Sequence, residues 1–205
     1  ALLSSARNRR DSHLSEKIFN RIQENFPELK NRLTSSSILL SNVYASTGDV
    51  EKSSNIKNKL YKLGLKKTIG LSWTAINGRL FKFRAHDQSH PQSSEIYAEA
   101  EKISNELIEH GHQYDSSWIT RPLKQDETVA SVLCRHNERL AIAWNFVVNP
   151  NTKIIQITKN LRVCGDCHQT TKLIAYIRQC EIIVRDANRI HHFSKNGRCS
   201  CNDYF

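Results

Sequence analysis

The chain has 205 residues, 39% of them hydrophobic and 24% charged, the proportions of a globular protein with one compact domain and a smaller attached unit. Lys and Arg number 30 against 20 Asp and Glu, a net charge of +10 that points to a polyanion such as RNA or DNA as partner, or else to a merely basic enzyme. No apolar run is long enough for a membrane-spanning helix.

The first residues, Ala1 to Arg7, contain no Met and no complete signal-peptide layout, so the chain is expected to be part of something longer, with any targeting peptide upstream. From about Ser12 to Gly64 the pattern is helical. Leu14, Ile18, Phe19, Ile22 and Phe26 recur at helical spacing and Pro27 follows them. A second helix is expected over Ser37 to Ser46. Gly48 supplies a stop, Asp49 an N-cap, and a third helix carries Ile56, Leu60 and Leu63. Short helices joined by tight turns predict helix-turn-helix repeats that continue an upstream array. Residues 1–67 are therefore assigned to a helical region and residues 68–205 to a second domain.

That domain opens on two alternating runs, Leu71 to Ile76 and Arg79 to Arg84, with Asn77-Gly78 between them, the strongest short-range hairpin signal. A helix is predicted from Pro91 to Glu109, with Ile96, Ile103 and Leu107 on one face, then a loop from Gly111 to Asp126. Another helix covers much of Glu127 to Val147, with a break near His136. Ile154 to Ile157 and Ile182 to Val184 read as buried strands, and a helix over about Asp166 to Arg178 separates them. The fold class expected is α/β, a small sheet flanked by helices.

Six cysteines are present, at 134, 164, 167, 180, 199 and 201. The short spacings with histidines nearby are metal-ligand patterns more than a disulfide framework, and they point to a reducing compartment. His136-Asn137-Glu138 is followed by Cys164-Gly165-Asp166-Cys167. One imidazole and two thiolates give zinc three protein ligands and leave the fourth position for water, which the ion activates near neutral pH. Glu138 is placed to carry protons rather than to bind metal. His-x-Glu followed by Cys-x-x-Cys is the zinc nucleobase-deaminase signature, with Val163 where Pro is usual. The competing interpretation is a structural zinc ribbon with an incidental Glu.

A second constellation comprises His168, His191-His192, Cys199 and Cys201. With the first set assigned, His168, one of the His pair and the two tail cysteines remain to close a tetrahedron. An extended segment sends His191 and His192 to opposite faces, and His191 is chosen. Alternatively, His168 is a core histidine and Cys199 and Cys201 form a redox pair. Cys134 rivals His136 as a ligand but is read as a small buried hydrophobe, with Cys180 left over. Lys66, Lys67, Lys82, Arg84, Lys159, Arg162, Lys172, Arg178, Arg185 and Arg189 are read as dispersed charge, mostly solvated, with some available to phosphates. Trp73, Trp118 and Trp144 are candidates for stacking a base or for the core.

The strings Leu71-Ser72-Trp73, Ser89-His90-Pro91, His136 to Ala143, Lys159 to His168, Ile183 to Asp186, and His191-His192-Phe193 to Cys199 and the C-terminus resemble the DYW domain of plant pentatricopeptide-repeat proteins. Leu39 to Ala45 with Gly48 resembles the E motifs that precede it. The resemblance implies a cytidine-deaminase-like fold and C-to-U editing of single-stranded RNA in mitochondria or chloroplasts, with organellar editing accessory proteins as partners and no membrane association. It implies two zinc ions, a catalytic one on His136, Cys164 and Cys167 served by Glu138, and a structural one on His168, His191, Cys199 and Cys201. Three positions depart from the family pattern: Phe205 replaces a terminal Trp, Asn137 replaces Ser, and Ile69 replaces Pro. A non-catalytic zinc module that recruits an editing enzyme, and a metal-dependent ribonuclease, are the competing functions.

Overall fold

The structure, a computed structural model, describes residues 2–28, 30–64, 68–119 and 123–204, with side chains at 30–32 also left aside. Lys66, Lys67 and Phe205 lie outside the described residues. The chain divides into two compact units, one of residues 1–68 with 116–122 and one of 69–115 with 123–205.

The first unit is helical: α1 (Leu2–Asn8), α2 (Ser12–Asn25), α3 (Lys30–Ser46) and α4 (Val50–Lys62). Asp11 caps α2 by accepting from the Leu14 N–H at 2.9 Å, and Asp49 caps α4 by accepting from Lys52 at 3.0 Å. Gly48 ends the turn between α3 and α4 at φ +83°, where only glycine is unstrained. Ser41 of α3 donates to the Ser53 carbonyl of α4 at 3.1 Å, so the two helices meet through small residues. Helix α1 was not expected from the sequence. Its Leu3 and Ala6 are buried, and Arg7 lies 3.2 Å above the Trp118 ring and donates to Ser117 at 3.0 Å. Ser116–Trp118, read as loop, is a short 3-10 turn.

The second unit is built on a five-stranded sheet in the order β2-β1-β3-β4-β5. The strands are β1 (Leu71–Ile76), β2 (Arg79–Arg84), β3 (Ile154–Lys159), β4 (Glu181–Arg185) and β5 (Ile190–Phe193). β1 and β2 form the expected hairpin, with Asn77 at φ 51° and Gly78 at φ 75°, as a two-residue turn of this hand requires. β3 and β4 are parallel, and the crossover between them is α8 (Gly165–Ile177). α5 (Ser93–Glu109) packs on α7 (Asn137–Val148) and α8, α7 lies against β1, β2 and β3, and α8 against β4 and β5. Ile96, Ile103 and Leu107 of α5 meet Leu140, Ile142 and Phe146 of α7, with Ile155, Ile157, Ile182, Val184 and Phe193 from the sheet. This is the α/β architecture that the apolar periodicities predicted.

The helix expected over 127–147 is two helices. Thr128 and Ser131 form a reciprocal capping box on α6 (Val129–Leu133), Cys134 ends it, and His136 is extended at φ −63°, ψ 151° before α7 begins. The break near His136 thus has a local cause: that residue is the N-cap of the next helix.

Candidate active site

Two helix N-termini converge. His136 is the N-cap of α7 and Cys164 the N-cap of α8, where the Cys164 sulfur accepts from the Cys167 N–H at 3.4 Å. His136 Nδ1 lies 3.3 Å from Cys167 Sγ and 3.6 Å from Cys164 Sγ. All three donor atoms fall within 4.8 Å of one another. Bond lengths to zinc of roughly 2.0–2.3 Å require ligand–ligand separations of about 3.3–3.8 Å in a tetrahedron, so this nitrogen-and-sulfur set fits one ion. Two aligned helix dipoles also favour negative charge here.

The two thiols titrate as a pair. A hydrogen bond from Cys167, opposed by burial and helped by His136, lowers Cys164 to about 6. Burial and the Cys164 charge push Cys167 well up. For His136, burial opposes the charged ring, but the Cys164 thiolate outweighs it and the net direction is up. The two shifts run in opposite directions, as for one proton shared between two adjacent buried sulfurs.

Glu138 is the second residue of α7 and is 2% exposed. Lys159 Nζ donates to Glu138 Oε2 and to Asn137 Oδ1, each at 2.8 Å. This corrects the reading of Lys159 as solvated surface charge: it is 7% exposed and ion-paired inside the site. Burial opposes both charges, yet each outweighs that penalty for the other, so Glu138 is lowered and Lys159 raised. The signal was present in the strand. Period-two alternation puts Ile155, Ile157 and Lys159 on one face of β3, and all three are buried. Asn137 contributes its carbonyl oxygen to the same ammonium, and Gly70 sits so close that a Cβ there would lie 3.4 Å from Asn137 Nδ2.

The second group assembles His168, His191, Cys199 and Cys201, again within 4.8 Å. His168 Nε2 is 3.1 Å from Cys201 Sγ, Cys199 Sγ is 3.7 Å from His191 Nδ1, and the two sulfurs are 3.3 Å apart. Two nitrogens and two sulfurs at these separations also fit a tetrahedral ion. His191 and His192 do point oppositely in β5, His191 being buried and His192 exposed. Burial and the neighbouring His191 hold His168 down at about 3, and burial pushes Cys199 up to about 12.

Cys134 is buried and its thiol donates to the Ser131 carbonyl, 3.5 Å away, as a small core residue does; Cys180 is also buried. Trp144 is core, edge-on to Phe81 at 5.2 Å between ring centroids, and Trp73 is partly buried. Lys172 is paired with Asp203 at 2.8 Å, and Arg178 with Glu99 and Glu106, each at 2.7 Å. Ile69 is exposed, and its carbonyl accepts from Asn160 at 2.9 Å, a contact that any residue offers.

Comparison with known proteins follows the same residues. Residues 111–205 match the DYW family of nucleic acid deaminases. The Arabidopsis thaliana pentatricopeptide repeat-containing protein At2g27610 is 42% identical over 168 residues, covering 82% of this chain and 19% of its own length. At3g63370, labelled chloroplastic, is 38% identical over 207 residues, covering 99% of this chain and 21% of its own. ELI1, also labelled chloroplastic, is 40% identical over 168 residues, covering 82% and 26%. The chain thus spans from 19% to 29% of the length of such relatives. With its paired His/Cys groups, its α/β sheet and this match, the C-terminal part of the chain, residues 111–205, belongs to the DYW family of nucleic acid deaminases.

Proposed function

We propose that the chain carries a zinc-dependent cytidine deaminase that converts C to U in single-stranded organellar RNA. The observation that carries this reading is the buried Glu138 two residues beyond His136, beside a donor set of three rather than four. His136, Cys164 and Cys167 would hold a zinc ion, which would supply an activated water to attack the base. Glu138 would carry one proton of that water to the ring nitrogen N3 of the base and the other to the amine that leaves as ammonia. Lys159 holds Glu138 Oε2, which fixes the carboxylate and leaves Oε1 for proton transfer. The target base has to leave its stack to reach so buried a carboxylate, which favours single-stranded RNA.

The second group serves as a structural ion site on His168, His191, Cys199 and Cys201. Residues 1–67 continue an upstream repeat array that selects the cytidine, and residues 68–205 are the deaminase domain. Relatives named as pentatricopeptide repeat-containing proteins, some of them labelled chloroplastic, support an organellar location; within our reading that is a mitochondrion or chloroplast, with accessory editing proteins as partners. No helix among the described residues is long and apolar enough to cross a membrane.

The test is Glu138→Ala in the full-length protein with its target transcript. Sequencing is expected to show loss of C-to-U conversion at full zinc content. Retained conversion excludes Glu138 as proton carrier, and strand cleavage in place of uridine supports the ribonuclease reading. Conversion by the purified wild-type protein alone excludes a recruiting module.

A further inference from the structure

Asp186 follows β4 and is 6% exposed. Its carboxylate is the meeting point of two chain segments that carry different donor groups. Oδ2 accepts from the Val163 N–H at 3.1 Å and lies 3.2 Å from His191 Nε2. Oδ1 accepts from the Asn188 and Arg189 N–H groups at 2.7 and 2.9 Å. Val163 immediately precedes Cys164 of the three-donor group, and His191 belongs to the four-donor group.

The contact with His191 fixes its tautomer. Nε2 carries the proton toward Asp186, so Nδ1 keeps its lone pair toward Cys199. The contact with Val163 fixes the entry of α8. The far end of the same turn is held by the other group, because His168 directly follows Cys167. Residues 163–168 are therefore held at one end by Asp186, which also contacts His191, and at the other by His168 of the four-donor group, with Cys164 and Cys167 between.

We propose that Asp186 couples the two groups, so that assembly of the four-donor site pre-orders the two thiols of the three-donor site. Ordering these thiols in advance removes part of the entropy cost of binding the first ion. Coupling of this kind is reciprocal: an ion in either site strengthens binding in the other by the same factor. Asp186 is a positioning residue in this scheme and touches neither ion nor RNA. The inference rests on both groups being metal sites, and it is independent of whether the chain deaminates RNA.

The experiment is a zinc titration of the purified protein against a chromophoric chelator, with no RNA present. Two variants are compared with wild type. Asp186→Asn keeps the size of the side chain but removes an acceptor and the charge. Cys201→Ser disables the four-donor group from the chain's partly exposed end while leaving Asp186 in place. Wild type is expected to bind two ions per chain. Cys201→Ser is expected to keep one ion and Asp186→Asn to keep both; in each, the ion on His136, Cys164 and Cys167 is held about 10- to 100-fold more weakly than in wild type, the range in which outer contacts act on metal sites. An unchanged affinity of that remaining ion in Cys201→Ser overturns the coupling. A weakened ion in Cys201→Ser with unchanged affinity in Asp186→Asn removes Asp186 as its carrier. If Asp186→Asn does not fold, Cys201→Ser alone decides. Fewer than two ions in wild type overturns the metal reading beneath the inference.

Discussion

Lys159 and Glu138 form a buried pair whose members stabilise each other only together. Removing one partner of such a pair leaves an uncompensated charge and costs about 3–5 kcal/mol. Lys159→Met is accordingly expected to lower stability in denaturant by that order, and adding Glu138→Gln is expected to recover part of the loss. A Lys159→Met protein as stable as wild type would refute the pairing. His168 gives a pH prediction for the metal-free protein. Unfolded, the ring takes a proton near its ordinary 6.5; folded, it resists until about 3. Acid therefore favours the unfolded chain, and stability contributed by the neutral ring is lost as pH falls from 6.5 toward 3. His168→Gln should flatten that part of the stability–pH curve. At this scale the donor residues were legible, whereas Lys159 was marked only as one position of the β3 alternation and not as the partner of Glu138. Cys-x-x-Cys and His-x-Glu are short motifs, and the donor atoms of His136, Cys164 and Cys167 meet within 4.8 Å. The Lys159 partner lies 21 residues back in the chain and is joined only by the fold.

The elements that were legible are those whose local signals agree with their packing. Asn77-Gly78, the alternation on either side of it, the capping Asp49 and the α5 stripe all specify structure within a few residues. Gly78→Val is expected to cost roughly 1–2 kcal/mol, since φ +75° suits no branched side chain; thermal melts of the two proteins check it. Asp49→Ala is expected to cost about 1 kcal/mol through lost capping of α4. Helix α1 was illegible for the opposite reason. Seven residues cannot hold a helix on propensity alone, and Leu3, Ala6 and the Arg7–Trp118 contact do so through distant parts of the chain. α3 likewise begins at Lys30, before the apolar run that marked its second half.

For the whole molecule, the 30 basic residues overstate how many cations are unpaired toward a polyanion, although the net charge of +10 stands. Lys159, Lys172 and Arg178 are paired within the fold with Glu138, Asp203, Glu99 and Glu106, the Lys159 pair buried and the Lys172–Asp203 pair at the surface. Zinc removal is the matching global test. Ions held at roughly a thousand times their dissociation constant stabilise a fold by about 4 kcal/mol, so strong chelation is expected to lower the melting temperature on the order of 10 °C, with recovery on adding zinc. An unchanged melting temperature would argue against bound metal. The turn from Cys164 to His168 carries a further consequence. In an α-helix each residue is rotated about 100° from the last. Cys167 and His168 therefore look out in different directions from one turn, and each direction ends in a different donor group. One residue inserted between them would swing His168 through that angle and leave its group incomplete. The number of residues from 164 to 168 is thus fixed by rotational phase.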